Sequence, residues 1–252
     1  GLDDAIVVDI GGTTSDIGIL QGGFPRESNI VIEVGGVRTN FRMPDILAIG
    51  LGGGSLVSED GHKIGPQSVG HKLVQESLAF GGAITTATDL LVAAGRAQVG
   101  SHPVKLDAEV ISAGLERIRD ILSLGIEKMM PSSDPLPVIL VGGGALLVSE
   151  NIEAASRVLR PEHSGVANAI GAAIAQIGGE VERLVNYRSL PRDEALRQVS
   201  AEAVAMAVGA GADAKTVRVA DIEETTISYM AEGSTRLRIK AVGDVARDAG
   251  GK

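Results

Sequence analysis

The stretch Ala5–Leu20, AIVVDIGGTTSDIGIL, decides the fold of this chain. Ala5–Ile10 is a short apolar run with several β-branched side chains, which predicts a buried strand. Strand character resumes at Asp16–Leu20, directly after a turn rich in glycine and hydroxyl side chains. We therefore expect two consecutive strands joined by a polar turn.

The turn has the composition of an anion-binding loop. Gly11 and Gly12 let the backbone bend and come close to a ligand, because neither residue carries a Cβ. Thr13, Thr14 and Ser15 add hydroxyl donors beside the backbone N–H groups. A concave array of such donors suits phosphate oxygens, so the turn predicts a phosphate site. The plain alternative is a hairpin with a polar turn, although such a turn needs only Asn-Gly or Gly-Gly.

Two carboxylates flank the turn and favour a site that also binds a cation. Asp9 and Asp16 would repel a bare phosphate, so they fit better beside a hard cation such as Mg²⁺. A Walker A loop or a dinucleotide fingerprint leads into a helix, whereas this turn leads into a second strand. The chain also contains no G-x-x-x-x-G-K-[ST] string, so both of these commoner nucleotide loops are disfavoured.

Composition argues against several classes of protein. With 252 residues, 44% of them hydrophobic, the chain can bury a sizeable core. That core is aliphatic, since only two Tyr, three Phe and no Trp occur. The net charge of −9, without a cluster of Lys and Arg, argues against nucleic-acid binding. The absence of cysteine excludes disulfides, thiol catalysis and cysteine metal sites.

The ends and apolar runs of the chain give two further expectations. We expect a cytoplasmic protein without a membrane segment, because neither a signal peptide nor an apolar run of membrane-spanning length occurs. The chain opens Gly1-Leu2-Asp3-Asp4, without an initiator Met, and enters a core strand at once. Because natural domains seldom begin so abruptly, we expect a fragment or a processed subunit.

Hydrophobic periodicity predicts the other elements before residue 178. The clearest helix is Asp107–Met130, with apolar residues at steps of three and four, Asp107 as N-cap and Gly125 inside the helix. A buried strand, Val138–Val141, runs straight into Gly142-Gly143-Gly144. Further expected elements are strands at Ile30–Val34 and Arg157–Arg160, and helices at Gln67–Phe80, Thr85–Val99, Asn151–Ser156 and Gly165–Ile177. Small residues in the last of these helices predict close packing against a sheet.

The order of these elements predicts an α/β, ribonuclease H-like domain with a mixed sheet, in which the phosphate turn joins the first two strands. We expect residues 1–178 to form this domain, with a core of 1–36 and 105–178 and an insertion of 37–104. Residues 179–252 are expected to form a small α+β subdomain. Its expected elements are strands at Val181–Tyr187, Lys215–Val219, Thr225–Met230 and Thr235–Ala241, and a helix at Arg192–Gly209.

Several strings resemble known families. DIGGTTSDIG, residues 9–18, is similar to the second phosphate loop of the actin-like ATPase superfamily, and VILVGGG, residues 138–144, is similar to its adenosine loop. More narrowly, residues 5 to about 178 resemble the hydantoinase/oxoprolinase family. The matching strings are DIGGTTSDIG, GVRTNFRMPDILAIGLGGGS (36–55), IGPQSVG (64–70), TTATDLLVAAGR (85–96) and SGVANAIGAAIA (164–175).

The resemblance implies an ATP-dependent enzyme that opens cyclic amides such as hydantoins or 5-oxoproline; relatives carboxylate ketones. The family's proposed chemistry is phosphorylation of the amide or enol oxygen by ATP, which creates a leaving group. Family members carry an earlier region with a first phosphate loop, so this chain is expected to hold one wall of a two-walled site. The expected partners are the cyclic amide, the missing N-terminal half and a separate second subunit.

The resemblance also assigns roles to residues. Asp9 is expected to hold Mg²⁺ or its waters, and Asp16 to support the metal or position the attacking group, so both are candidate catalytic residues. The residues expected to contact ATP are Gly11, Gly12, Thr13 and Thr14 at the β- and γ-phosphates, and Gly142, Gly143 and Gly144 at the adenosine. The alternatives are ordinary turn chemistry for the first group and a tight strand-to-helix turn for the second.

A polar stretch before residue 55 is a candidate substrate or interdomain surface. It contains Arg38, Asn40, Arg42 and Asp45, for which salt bridges on a solvated face are the alternative. The candidate substrate residues are Arg38, Gly53, Gly54 and Ser55, and the Ser55 hydroxyl is a candidate donor to a substrate carbonyl. Three residues of the TTATDLLVAAGR string, Thr86, Thr88 and Asp89, fit a helix cap as well as a site. The four histidines lack metal-site spacing.

Two other functions share the phosphate and adenosine loops. One is an actin-like ATPase that acts as a chaperone or scaffold switch, and the other is a small-molecule kinase that releases a phosphorylated product. Chaperone-like ATPases lack the GVRTNF…GLGGGS string, so the sequence favours the cyclic-amide enzyme. The sequence leaves open whether the substrate is a hydantoin, an oxoproline or a ketone.

Overall fold

A computed structural model describes residues 2–28, 32–34, 37–39, 43–148, 152–227 and 233–246. The strands are β1 (Ala5–Ile10), β2 (Ser15–Gln21), β3 (Phe24–Pro25), β4 (Ile32–Val34), β5 (Val37–Thr39), β6 (Ile46–Ile49), β7 (Ser55–Val57), β8 (Ile64–Ser68), β9 (Leu136–Val141), β10 (Ala155–Leu159), β11 (Ile177–Asn186), β12 (Arg218–Thr226) and β13 (Ser234–Gly243). The α-helices are α1 (Leu73–Glu76), α2 (Ala87–Ala93), α3 (Ala108–Met129), α4 (Ala167–Ala173) and α5 (Arg192–Gly209). None of the described helices is long and apolar enough to cross a membrane.

The chain divides into two compact units, residues 1–168 and 169–252. The sequence predicts a boundary at 178/179, which falls inside β11; this strand begins at Ile177 and pairs along its whole length with β13. Strand pairing therefore assigns Ile177 and Gly178 to the second unit. The domain bounds given in the sequence analysis, 1–178 and 179–252, stay a prediction for the complete protein.

The first unit is built on a mixed sheet in the order β10-β9-β1-β2, with β3 and β6 beside β2. β1 pairs antiparallel with β2 and parallel with β9, and β9 pairs parallel with β10. Antiparallel strands at one side of β1 and parallel strands at the other give the ribonuclease H-like order. The predicted α/β fold class is therefore confirmed.

The third strand of this sheet is not the predicted one. Ile30–Val34 was the candidate, but its described part, β4, pairs only with β5 in a separate two-stranded sheet. The position beside β2 is shared by β3, opposite Leu20 and Gln21, and β6, opposite residues 15–18. Part of the expected insertion, β6, thus belongs to the core sheet, because pairing with β2 outweighs the local sequence pattern.

The core lies between one sheet face and α3. Ile6, Val8 and Ile10 of β1 alternate inward and are fully buried, as the period of two requires. The helix prediction for Asp107–Met130 is confirmed by α3, with Asp107 at its N-cap. Gly125 lies inside the helix, and a Cβ there would be 2.6 Å from Ile17 Cδ1. This glycine therefore lets α3 approach β2 closely.

Three other helix predictions are wrong in extent or kind. Gln67–Phe80 breaks into the end of β8, two 3-10 turns and α1, and Gly70 has a positive φ of 56°. Thr85–Val99 shortens to α2, which Gly95 ends at a φ of 68°. The described part of Asn151–Ser156 is not helical, because β10 already starts at Ala155 and pairs with β9.

The predicted helix Gly165–Ile177 shortens to α4, and its expected close packing is wrong. The described side chains of α4 are exposed or half-exposed, and Ile170 is 40% exposed. The strand β11 begins at Ile177, where the prediction still had helix. Within the part of the chain that the structure describes, most of the small residues of α4 are therefore exposed instead of closely packed.

The second unit is a three-stranded antiparallel sheet in the order β11-β13-β12, covered on one face by α5. The helix prediction Arg192–Gly209 is confirmed by α5. Buried alanines, among them Ala203, face the sheet, and a Cβ on Gly179 would be 2.4 Å from the Ala203 carbonyl oxygen. The two strands predicted at 215–219 and 225–230 form the single strand β12, and residues 228–230 lie outside the described residues.

Candidate functional site

The hairpin β1–β2 places two carboxylates side by side. Asp9 and Asp16 are direct partners in the antiparallel register, so their side chains share the sheet face opposite the core. Asp9 is half-buried and Asp16 is exposed. Between the strands, the Gly11 N–H donates to the Thr14 carbonyl over 2.9 Å and closes the turn 11–14, which we call the phosphate turn.

A second glycine loop, residues 52–55, is bonded to the backbone of the phosphate turn. The Gly53 N–H donates to the Gly11 carbonyl over 3.0 Å, and the Gly54 N–H donates to the Gly12 carbonyl over 2.6 Å. A Cβ on Gly52 would lie 2.5 Å from the backbone nitrogen of Thr13. Glycine at residue 52 is therefore what allows the two loops to touch.

The hydroxyl of Ser55 forms a hydrogen bond within the second glycine loop. Ser55 is fully buried, and its Oγ accepts a hydrogen bond from the Gly52 N–H at 2.9 Å. Ser15, also fully buried, donates its hydroxyl to the Leu51 carbonyl at 2.7 Å, which joins the start of β2 to the same loop. A direct contact between Ser55 and a substrate stays a prediction.

The first turn of helix α2 is hydrogen-bonded to the second glycine loop. Thr88 donates its hydroxyl to the Gly53 carbonyl at 2.8 Å. Thr86 and Asp89 form a capping box at the start of α2, which confirms the helix-cap alternative for these two residues. The Asp89 carboxylate is fully buried and also accepts the Ala79 N–H at 2.7 Å.

The third glycine loop, residues 142–144, follows β9 and meets the phosphate turn at the end of β1. The Gly144 N–H donates to the Ile10 carbonyl over 2.8 Å. Gly142 has a φ of 87°, which favours glycine, and a Cβ there would lie 2.4 Å from Asp9 Oδ1. The structure thus brings the predicted phosphate and adenosine glycines together, with Asp9 beside both.

Asn168, in α4, is a site residue that sequence reasoning missed. Its side-chain Nδ2 donates to Asp9 Oδ2 at 3.1 Å. The two residues are far apart in the chain and meet because the segment before α4 is tied to the third glycine loop: the Gly142 N–H donates to the Ser164 carbonyl over 2.9 Å. The only signal in the sequence was the position of Asn168 within the SGVANAIGAAIA string.

A pocket of about 280 Å³ opens beside the three glycine loops. Its floor is glycine backbone and its wall is mainly hydrocarbon, and we call it the apolar pocket. The lining residues are Gly11, Gly12, Gly53, Leu73, Phe80, Thr88, Leu91, Ala97, Val99, Gly143, Gly144, Leu146 and Leu147. A pocket of this size suits one small ring or side chain.

The polar stretch before residue 55 contributes less to the described site. Asp45 forms an ion pair with Arg26 at 2.8 Å, which confirms the salt-bridge alternative for Asp45. The side chain of Arg38 and the whole of Asn40 and Arg42 lie outside the described residues. Their predicted part in substrate binding stays a prediction.

The donor set at the hairpin fits a magnesium ion held together with a phosphorylated ligand. Within the described ranges, no group of three or more His, Asp or Glu side chains could hold a metal by itself. Mg²⁺ is usually bound by one or two carboxylates, with waters and substrate phosphates completing its shell. Asp9 and Asp16 beside the phosphate turn supply that number of carboxylates.

Fold and site together define an α/β protein in which three glycine loops meet beside two paired carboxylates. Residues 1–131 match the model of the hydantoinase/oxoprolinase family, and the chain belongs to this family. The suspected resemblance is therefore confirmed. A sequence comparison with curated proteins finds no significant match.

Two solved structures share the fold. The ATP-dependent caprolactamase from Pseudomonas jessenii is 18% identical with a TM-score of 0.63, and the match covers 98% of this chain and 47% of that chain. Nucleotide-free acetone carboxylase, described in a study of ATP-dependent acetone carboxylation, is 14% identical with a TM-score of 0.54, covering 96% of this chain and 47% of that chain. The chain thus spans about half the length of each.

Proposed function

We propose that this chain is the nucleotide-binding half of an ATP-dependent cyclic-amide hydrolase of the hydantoinase or 5-oxoprolinase type. The observation that supports it best is the meeting of three glycine loops at the end of β1, beside the paired carboxylates Asp9 and Asp16. Family membership points the same way, and both structural neighbours are described as ATP-dependent.

Each part of the site has a role in this proposal. The backbone and hydroxyls of the phosphate turn, residues 11–14, hold the β- and γ-phosphates, and the third glycine loop lies under the adenosine. The second glycine loop fixes the turn through its two backbone hydrogen bonds, which keeps the donors preorganised. Asp9 and Asp16 hold Mg²⁺ or its waters and orient the reacting groups.

ATP, when bound, would supply the phosphoryl group that activates the amide oxygen, with ADP as the leaving group. One water would then add to the activated carbon while the C–N bond breaks and the ring nitrogen leaves as the amine, and a second water would release inorganic phosphate together with the former amide oxygen. This activation is chemically reasonable because an unactivated amide carbonyl is a poor electrophile. The chain's own residues bind, orient and neutralise charge, as in other phosphoryl-transfer sites. We propose a cytoplasmic location for this activity.

The second wall of the site belongs to another region in this proposal. Relatives of known structure are about twice as long as this chain. The exposed apolar side chains of Ile170 and Ile174, in and just after α4, offer a surface for an N-terminal half of the same protein. A separate second subunit is a further proposed partner.

The variant Asp9→Asn tests the proposal in the complete polypeptide. We expect loss of cyclic-amide-dependent ATP turnover, since the neutral amide cannot replace the carboxylate at Mg²⁺, with an unchanged melting temperature. Asp120→Asn is the matched control, because Asp120 is exposed on α3 and outside the site. Undiminished turnover in Asp9→Asn would remove the role given to Asp9.

Product analysis separates the three candidate functions. The hydrolase yields an opened ring, ADP and inorganic phosphate, whereas a kinase releases a phosphorylated small molecule. A chaperone or scaffold switch hydrolyses ATP without consuming any cyclic amide.

A further inference from the structure

Two further pockets lie on the first unit, and Arg119 of α3 lines both of them. One pocket, of about 400 Å³, is bordered by Arg96 and by one face of residues 108–119. The other, of about 510 Å³, is bordered by most of residues 152–158, around the start of β10. We call the two together the α3–β10 groove. It shares no lining residue with the three glycine loops or the apolar pocket.

The part of α3 that borders the groove is long. Its lining residues recur at steps of three and four from Ala108 to Arg119, so they share one face of the helix. At about 1.5 Å per residue, this face extends over about 16 Å. The half-buried side chains of Ile111 and Leu115 supply its apolar part. A groove of this length suits an extended chain better than a single small anion.

The other side of the groove contains an edge strand. β10 pairs with β9, and no other strand in the described part of the chain pairs with it. One extra residue, Ser156, interrupts the register with β9, and both Ser156 and Arg157 are exposed and line the groove. An unpaired edge presents backbone N–H and C=O groups that can pair with a strand from another chain.

The groove offers cations to a ligand, although the chain as a whole has a net charge of −9. The guanidinium groups of Arg96 and Arg157, one in each pocket, have no hydrogen bond or ion pair to any described residue. Arg119 is half-buried and pairs with Glu116 at 3.2 Å. Glu153 is the other carboxylate of the lining. A guanidinium without a partner can bind a carboxylate through two parallel N–H donors, so the groove favours an acidic ligand.

We propose that the α3–β10 groove is a docking site for an extended, acidic segment of a partner protein. The segment adds a strand to the free edge of β10, continues along the face of α3 and places carboxylates against the guanidinium groups. The face of α3 and the strand β10, Ala155–Leu159, each extend over about 16 Å, which together corresponds to about ten residues of extended chain.

The inference goes beyond the proposed function, because the groove contains no residue of the glycine loops and its occupation does not require ATP. A nucleic acid is a poor occupant, since its phosphates would be repelled by the net charge of −9. A protein segment supplies both the carboxylates and the backbone groups that the edge of β10 can pair with.

The first experiment measures amide hydrogen exchange of the complete polypeptide by mass spectrometry. The probe is an acetylated and amidated peptide of five Glu-Thr repeats, which has the proposed length and charge. At ten times its Kd, we expect it to slow exchange in β10 about tenfold, because bound and open states exclude each other. Unchanged exchange in β10 at millimolar peptide would overturn the inference.

Two matched peptides separate the two kinds of contact. Five Gln-Thr repeats lack the charges, and five Glu-Pro repeats keep the charges but lack every second N–H donor. Each control is expected to bind at least about tenfold more weakly than the Glu-Thr peptide, since each loses one set of hydrogen bonds. A Glu-Pro peptide that binds as tightly as the Glu-Thr peptide would contradict strand addition and overturn the inference.

Variants test whether the probe occupies this groove. Arg119→Gln and Arg157→Gln should each raise the Kd of the fluorescently labelled Glu-Thr peptide at least about fivefold, through loss of a charge-assisted hydrogen bond. Arg117→Gln is the matched control, because Arg117 is exposed on α3, does not line the groove and carries the same charge. An equal change of Kd in all three variants would reduce the binding to general attraction and overturn the inference.

Other occupants of the groove give different results. Slow exchange at every amide of β10 before any peptide is added would mean that the same polypeptide covers the edge. Protection of β10 that increases with protein concentration would mean that a second copy covers it. Either result would overturn the inference and leave the proposed function standing, because ATP turnover with cyclic amides tests that function separately.

Discussion

The contact between Gly52 and the phosphate turn yields the sharpest prediction. A Cβ at residue 52 would lie 2.5 Å from Thr13 N, 2.6 Å from Gly12 C and 2.7 Å from Gly11 O, all of them backbone atoms. Restoring ordinary contact distances requires a displacement of about 1 Å, because carbon and its neighbours prefer separations near 3.5 Å. In Gly52→Ala, either this loop or the phosphate turn must move.

The expected cost follows from this overlap. Overpacking of this kind costs about 1–3 kcal/mol, which for a chain of this size lowers the melting temperature by roughly 2–12 °C. Because the donors of the phosphate turn shift by about 1 Å, we expect Mg-ATP affinity to fall more than about tenfold. Thermal unfolding and calorimetric titration with Mg-ATP measure the two effects on the complete polypeptide.

A glycine in open space provides the control. Gly209 ends α5, and the Cβ that Gly209→Ala would add lies within 4 Å of no described atom outside its chain neighbours and its own helix backbone. This variant is expected to melt at or slightly above the wild-type temperature, since alanine favours the helix by about 0.5–1 kcal/mol. If Gly52→Ala bound Mg-ATP as tightly as Gly209→Ala and had the same melting temperature, the contact between the second glycine loop and the phosphate turn would not be what holds the turn in place.

Three further predictions concern single side chains. Asn168→Ala releases the Asp9 carboxylate, so the Mg²⁺ concentration for half-maximal turnover should rise about 3–10-fold at an unchanged melting temperature; an unchanged Mg²⁺ requirement would contradict the positioning role. Asp89→Ala leaves buried N–H donors unpaired and should cost about 3–5 kcal/mol in urea unfolding, whereas a cost below about 1 kcal/mol would contradict this. The hydrogen bond from Arg192 holds the pKa of Glu224 below its usual 4.5, so this carboxylate stabilises the fold above that pH and loses its effect as pH falls through the lowered pKa. Melting curves of Glu224→Gln should therefore converge with those of wild type at acid pH, and a constant difference would refute the linkage.

Local patterns predicted the elements that depend on local interactions. The helices α3 and α5 follow from hydrophobic periodicity and small residues over many turns, and β1 and β2 from alternation around the phosphate turn. The family strings predicted the right family, and two of them form the phosphate turn and the second glycine loop, which contact each other.

The features that the sequence did not predict depend on contacts between residues far apart in the chain. The place beside β2 is filled by β3 and β6, since hydrogen bonding to a core strand outweighs the strand pattern of residues 30–34. The second glycine loop was expected at a substrate surface, yet its backbone bonds show that it also clamps the phosphate turn. The bond from Asn168 to Asp9 joins residues that only the folded chain brings together.

The most direct test of the proposed chemistry follows the oxygen of the amide. A neutral lactam labelled with ¹⁸O at its carbonyl is incubated with ATP and the complete enzyme, and the released phosphate is examined by mass spectrometry. Phosphorylation of the amide oxygen predicts that ¹⁸O appears in inorganic phosphate as the ring opens. Ring opening in which all the ¹⁸O stays in the carboxylate product, or which proceeds without ATP cleavage, would contradict the account.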